Sequence, residues 1–170
     1  MVIIYFLLLF LIPQSNQRYV IESSKIEFYS YAPLEDISAI NTSSIGVIDI
    51  DNGEFLIKIP MPSFEFTNKL MQKHFNDSYL ETDKYPESIF RGKIEENIAT
   101  GTLSMHGITN NISIPLSISY KEDSIIIDTE FKIILNDYKI KIPRLLFQNI
   151  AEEIEIKVNS TFSKYIKKWK

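Results

Sequence analysis

Strict two-residue alternation over the second half of the chain is the feature that most narrows its fold. From Ile112 through Ile114, Leu116 and Ile118 to Tyr120 the apolar residues fall on one side, and Asn111, Ser113, Ser117 and Ser119 fall on the other. Side chains of an extended strand point alternately to opposite faces, so such a segment has one dry and one wet face and belongs in a sheet packed on one side only. The pattern returns with Ile125, Ile127, Phe131, Ile133 and Leu135 against Asp128, Glu130, Lys132 and Asn136. It returns again with Ile154, Ile156, Val158 and Phe162 against Glu153, Glu155, Lys157 and Asn159. Pro115 lies inside the first of these runs and has no N–H to give to a ladder, which predicts a bulge or bend there.

Turn chemistry separates the runs. Asp51-Asn52-Gly53 divides residues 45–50 from 54–59, His106-Gly107 divides 102–105 from 108–116, and Lys121-Glu122-Asp123 closes the next hairpin. Glycine serves such turns through its tolerance of positive φ. Residues 19–21 and 25–31 are predicted as the first two strands, joined at Ser23-Ser24. No connector between strands is long enough for a crossover helix, so the meander is antiparallel. Two segments break the rhythm. Residues 67–80 predict a short helix with Thr67 as N-cap and Leu70, Met71 and Phe75 on one flank, and residues 144–151, introduced by Pro143, predict a further helical turn. Short strands interrupted by capping helices predict an all-β, antiparallel closed barrel with one or two lids.

At 170 residues, 45% hydrophobic and 24% charged, the chain has the make-up of one globular domain with a real core. A formal net charge of -4 opposes nucleic-acid binding, which needs a basic face. Only Lys164-Tyr165-Ile166-Lys167-Lys168-Trp169-Lys170 is locally basic, and there transient contact with a membrane surface is set against a solvated terminus. Residues 1–12 are almost unbroken apolar sequence, followed by Pro13, Gln14, Ser15, Asn16 and Gln17. The run is shorter than the ~20 residues of a spanning helix. It predicts a signal peptide over residues 1–17 and a barrel domain over 18–170, exported to the periplasm or beyond; a retained amphiphilic anchor is the alternative. Cysteine is absent, so disulfides, thiol nucleophiles, thiolate metal sites and acylation at a cleavage-site cysteine are excluded. The sequons at Asn41, Asn76, Asn111 and Asn159 matter only in a eukaryotic secretory route.

Bond-making chemistry finds no foothold. The two histidines, His74 and His106, have no ligand-type neighbour at metal-binding spacing and are expected at a helix and a turn. No serine stands in a Gly-x-Ser-x-Gly elbow, and Glu95-Glu96 and Glu152-Glu153 are expected as solvated faces. Burial is the chemistry that remains. Phe64, Phe66, Met71, Phe75, Tyr79, Phe90, Leu103, Met105, Leu116, Ile118, Phe131, Ile133, Tyr138 and Phe147 form the candidate interior. The interior of an eight-stranded barrel is either filled by side chains or just wide enough for one slender ligand, and composition leaves both open.

Two blocks carry a resemblance. Leu80-Glu81-Thr82-Asp83-Lys84-Tyr85-Pro86, preceded by Ser63-Phe64-Glu65-Phe66, and then Gly101-Thr102-Leu103-Ser104-Met105-His106-Gly107-Ile108-Thr109, resemble the YceI-like family of secreted, lipocalin-like proteins. Asp137-Tyr138 and Ile142-Pro143 extend the likeness, while Thr67 stands where relatives often carry Pro. The resemblance implies an eight-stranded antiparallel barrel enclosing an apolar tunnel. It also implies non-enzymatic binding, transport or storage of a polyisoprenoid or other long-chain lipid, such as an isoprenoid quinone or prenyl lipid, in a bacterial periplasmic or secreted protein that is a monomer or homodimer. Lys73, His74, Tyr85, Arg91 and Arg144 are then the candidate head-group partners. The competing expectations are an envelope stress-response or interaction protein with a filled core, and an enzyme modifying isoprenoids or fatty amides.

Overall fold

The alternation is realised as sheet. The computed structural model describes residues 17–30, 36–141 and 153–166. Its strands are β1 (Arg18–Ser30), β2 (Ile37–Asn41), β3 (Ile45–Asp49), β4 (Glu54–Pro60), β5 (Glu65–Phe66), β6 (Glu87–Glu95), β7 (Ile98–Met105), β8 (Ile108–Pro115), β9 (Ser117–Tyr120), β10 (Ser124–Ile134) and β11 (Glu153–Lys164). One α-helix, α1 (Lys69–His74), lies between β5 and β6. The strands run β8-β7-β6-β4-β3-β1-β11-β10-β9 in one sheet, with β2 and β5 as a side leaf on β1. The pairings along this path are antiparallel, as the short connectors require.

Closure comes from Pro115. β8 pairs with β7 up to Pro115, opposite Ile98, and β9 pairs with β10 from Ser117, opposite Asp128. The two ends of the sheet path are therefore halves of one continuous run, separated by Leu116, whose N–H donates to Asn97 O at 2.7 Å. Counted as one strand, that run makes the path the expected eight-stranded barrel. Thr129 Oγ1 donates to Pro115 O at 2.6 Å and Asn110 Nδ2 to Asp137 O at 2.9 Å, tying β8 toward β10 and the 3-10 turn Leu135–Tyr138. Proline costs nothing here because the strand is changing partners and no ladder N–H is needed.

Three expectations need correction. The predicted first pair of strands is a single strand, β1, whose register on β11 shifts between Ile21 and Ser23. Before the shift Tyr19 and Ile21 face inward; after it Ser24, Ile26, Phe28 and Ser30 do. One extra residue has exchanged the parity of the strand, which in the sequence looks like a turn. The helix is capped by Asn68 and not Thr67: Asn68 Oδ1 accepts from Leu70 N at 3.0 Å and Met71 N at 3.2 Å. It continues as a π-helical turn, Phe75–Tyr79, which buries Phe75 and Tyr79 while Leu70 stays 62% exposed. Tyr120, placed on the dry side by the alternation, is 73% exposed at the end of β9. The helical turn expected over residues 144–151 lies outside the described residues, as do residues 1–16.

Asn41, fully buried, holds the place where the side leaf parts from the main sheet. Its Nδ2 donates to Pro60 O at 2.8 Å, and its Oδ1 accepts from Ser43 N at 2.9 Å and Ser44 Oγ at 3.4 Å. These bonds satisfy backbone groups that β2 and β4 leave unpaired when they end. Asn41→Ala should strand them in the dark and lower the free energy of unfolding by about 2–4 kcal/mol, read as a fall in the urea midpoint at unchanged slope.

Candidate functional site: an interior tunnel

The core divides into two clusters. One gathers Phe28, Phe64, Phe66, Phe75, Leu103, Met105 and Ile133 toward the end that carries α1; the other gathers Tyr19, Ile48, Phe55, Ala99, Ile125, Ile127 and Phe162 toward the end where β1 begins. Phe90 packs against both, with its ring 4.7 Å from that of Phe55. Along their shared axis the side chains do not meet. They leave a cavity of about 210 Å3 that touches both clusters and is lined on β1 from Ile21 to Ser30, about 30 Å of strand at 3.3 Å per residue. A volume that small spread along so much strand is one chain wide.

No Asp, Glu, Lys, Arg or His lines this space among the described residues. The polar lining is a few hydroxyls, and three of them are turned to the protein. Ser88 Oγ donates to Ser104 O at 2.9 Å, Thr129 Oγ1 to Pro115 O, and Ser44 Oγ to Asn41 Oδ1. What the cavity presents to a guest is therefore hydrocarbon and ring faces. At the α1 end the rings of Phe64, Phe66 and Phe75 close around Phe28, at centroid distances of 5.6, 5.5 and 5.7 Å.

Of the residues expected to form the interior, Phe64, Phe66, Met71, Phe75, Tyr79, Phe90, Leu103, Met105, Leu116, Phe131 and Ile133 line the cavity. Ile118 packs against the second cluster without reaching the space, and Tyr138 is buried beside the first without lining it. Phe147 and Arg144 lie outside the described residues. Sequence reading missed the contribution of β1 and β11: Ile26, Phe28, Ile154, Ile156 and Phe162 all line the tunnel. Their alternation was legible on β11, but on β1 the parity change hid it.

The head-group candidates fare unevenly, and none of the four described ones lines the cavity. Lys73 is exposed on α1 and paired with Asp77 one turn on, a hydrogen bond and charge that raise its pKa. His74 stands edge-on to Tyr79 at 6.5 Å. Tyr85 lies under the Lys84 ammonium, 4.8 Å from its ring centroid. These three belong to the α1 end. Arg91 is exposed on the outer face of β6, opposite Leu56 and Thr102, and takes no part in that end.

His106 turns out to be more than a turn residue. It and Gly107 adopt φ of 51 and 74 degrees between β7 and β8, yet its side chain is only 11% exposed. Nδ1 lies 3.0 Å from Tyr138 O and Nε2 3.0 Å from Glu81 Oε2, and its ring meets that of Tyr85 edge-on at 4.8 Å. Each ring nitrogen thus faces an oxygen of another segment at hydrogen-bond distance. A side chain at Gly107 would bring its Cβ within 2.7 Å of Tyr85 Cε1. The two sequence blocks that stood out are thus one clasp in space, joining the turn, the Leu80–Pro86 segment and the Leu135–Tyr138 turn.

Burial raises the pKa of the Tyr79 phenol, and burial is the first cause at Tyr138 too, opposed there by a hydrogen bond with Asn110 and reinforced by Asp137. The fold thus favours the neutral phenols. That stability is complete below the unfolded phenol value of about 10 and is lost as pH rises through the raised folded values. The melting temperature should fall above about pH 10, more steeply in the natural chain than in a Tyr79→Phe, Tyr138→Phe variant measured across the same range.

Comparison with known proteins agrees with this architecture. A family model described as the YceI-like domain matches residues 21–162. A polyisoprenoid-binding domain from Saccharophagus degradans, implicated in plant cell wall breakdown, superposes with a TM-score of 0.75 at 16% identity, covering 86% of this chain and 98% of that one. Burkholderia cenocepacia BcnA gives 0.69 at 16% identity over 81% and 95%. A YCEI protein of Campylobacter jejuni gives 0.52 at 19% identity over 74% and 81%. No curated protein matches the chain.

Proposed function

This chain belongs to the YceI-like family, and from that premise and the geometry of its interior we propose that it binds the uncharged tail of a polyisoprenoid or other long-chain lipid, with the head group outside. The observation that carries the reading is the lining: a narrow apolar tunnel, without an ionisable Asp, Glu, Lys, Arg or His among the described residues. Burying a charge there would cost several kcal/mol with nothing to offset it, whereas a chain burying a few hundred Å2 gains on the order of 10 kcal/mol gross. Met61, Met71 and Met105 suit an irregular methyl-studded guest because their side chains adapt their shape. Likeness of fold to a domain from Saccharophagus degradans described as polyisoprenoid-binding supports the same guest class.

The role is carriage or storage and not catalysis, with an isoprenoid quinone or prenyl lipid as the guest. The head group sits at the α1 end, within reach of Lys73, His74 and Tyr85. The apolar run of residues 1–12 supports export to the periplasm or the medium.

Mass spectrometry of an organic extract of the natively purified protein should find one long-chain lipid in stoichiometric amount. Ala99 is 3% exposed and lines the tunnel. Ala99→Phe should block the bore with the fold kept, so the variant yields the same circular dichroism spectrum and at least tenfold less lipid. A clean extract from the natural protein, with no uptake of added quinone, would instead favour a filled-core barrel acting through its surface.

A further inference from the structure

A hydroxyl buried among hydrocarbon needs a partner, and this barrel supplies one for nearly all of its inward-facing Ser and Thr side chains. Ser44, Ser88 and Thr129, which line the tunnel, bond to Asn41 Oδ1, Ser104 O and Pro115 O, and Ser30 is partnered as well. Ser24 and Ser160 are the exceptions. Ser24 is 8% exposed, and its Oγ has no hydrogen-bond partner among the described residues. Ser160 is 6% exposed and lines the tunnel, and no hydrogen bond joins its Oγ to the protein among the described residues. The two residues stand directly opposite each other on β1 and β11.

Ser24 is the first inward residue after the shift in β1, between Ile21 and Ile26, and Ser160 comes between the inward residues Val158 and Phe162. Ile26 and Val158 pack with the cluster at the α1 end, Ile21 and Phe162 with the other. The pair thus sits at the junction of the two clusters, about 13 Å along β1 from Phe28 at 3.3 Å per residue. A wholly hydrocarbon guest leaves both hydroxyls unpaired in the dark, whereas a guest with an oxygen at that depth satisfies them. We infer that Ser160 and Ser24 read a neutral oxygen within the guest's tail, a hydroxyl, carbonyl or ester, and so select oxygenated long chains over plain ones. Serine both donates and accepts, which suits any of the three. Directly opposed residues have Cβ atoms about 4.5–5.5 Å apart, so one oxygen can bridge both hydroxyls. Ser160 is the direct contact; Ser24, which does not itself line the tunnel, reaches the shared oxygen by rotation about χ1. This selectivity rests on the tunnel being a lipid site and narrows which lipids it keeps.

Isothermal titration of the natural chain with stearate and with hydroxystearate, whose hydroxyl stands in mid-chain, compares two guests with one head group. Hydroxystearate should bind about tenfold more tightly. Ser160→Ala should abolish the preference by weakening hydroxystearate alone, and Ser24→Ala should reduce it. Neither substitution should lower the melting temperature measured without added lipid, since no bond within the protein is lost. Equal affinity for the two guests in the natural chain overturns the inference and leaves the lipid tunnel standing, as does a preference that survives both substitutions. A lower melting temperature in either variant, with the preference unchanged, assigns the pair to a structural water and overturns it too. A natural chain that takes up neither fatty acid nor an added isoprenoid quinone loses both this selectivity and the tunnel reading beneath it; uptake of the quinone alone removes only the selectivity.

Discussion

A sheet that surrounds an apolar space has to dispose of its two edges, because each edge is a row of backbone donors and acceptors with no partner. Here the two edges are successive stretches of the same run, which leaves β7 at Pro115 and takes up β10 at Ser117. Hydrogen bonds from Thr129 and Asn110 draw the seam together. The tight curvature that this closure demands is met where Gly92 and Gly101 face each other across β6 and β7: a Cβ on either would lie 2.0 Å from a carbonyl oxygen of the neighbouring strand. Asn41 meets the same demand on the other side, satisfying the backbone where β2 and β3 part.

An enclosed apolar bore carries an energetic tension. Side chains facing an empty space forgo dispersion contacts on one side, and each such void destabilises the fold in proportion to its size. Filling the bore with more side chain would remove the penalty, yet Ala99 and the small serines of the lining leave it open. A guest chain restores the lost contacts, so ligand and fold stabilise each other. Aromatic closure, the His106 clasp and α1 gather at one end of the barrel.

Much of this was legible because burial on one face only leaves a two-residue signature, and because glycine turns mark where strands reverse. β10 and β11 carry their inner faces in plain alternation, and Asp51-Asn52-Gly53 and His106-Gly107 stand where the chain turns. What was hidden is what depends on position in space. The parity change in β1 mimics a turn, so Phe28, the hub of the aromatic end, went unseen. Thr67 and Asn68 are both good caps, and only the hydrogen bonds of Asn68 tell them apart. Arg91 is near the motif residues in sequence but on the outward face of its strand, a fact that follows from register with Leu56 and Thr102 and not from residue type. The prominence of His106 was visible; its service as a tie between three segments was not.

The shift between Ile21 and Ser23 also governs which heritable changes this barrel tolerates. Side chains on the inner face of β1 can be exchanged for others of similar bulk at modest cost, since such swaps leave pattern and volume alone. Loss of Glu22, which the register on β11 skips, would remove the bulge and leave Tyr19, Ile21, Ser24, Ile26, Phe28 and Ser30 in one regular alternation. Loss of a residue between Lys25 and Tyr29 is different in kind, because it would turn part of that inner face outward. Lineages of this fold should therefore drift freely in the identity of these residues, and even in the presence of the bulge, while keeping the number from Ser24 to Ser30 fixed, so that along this stretch spacing, more than chemistry, is what descent preserves.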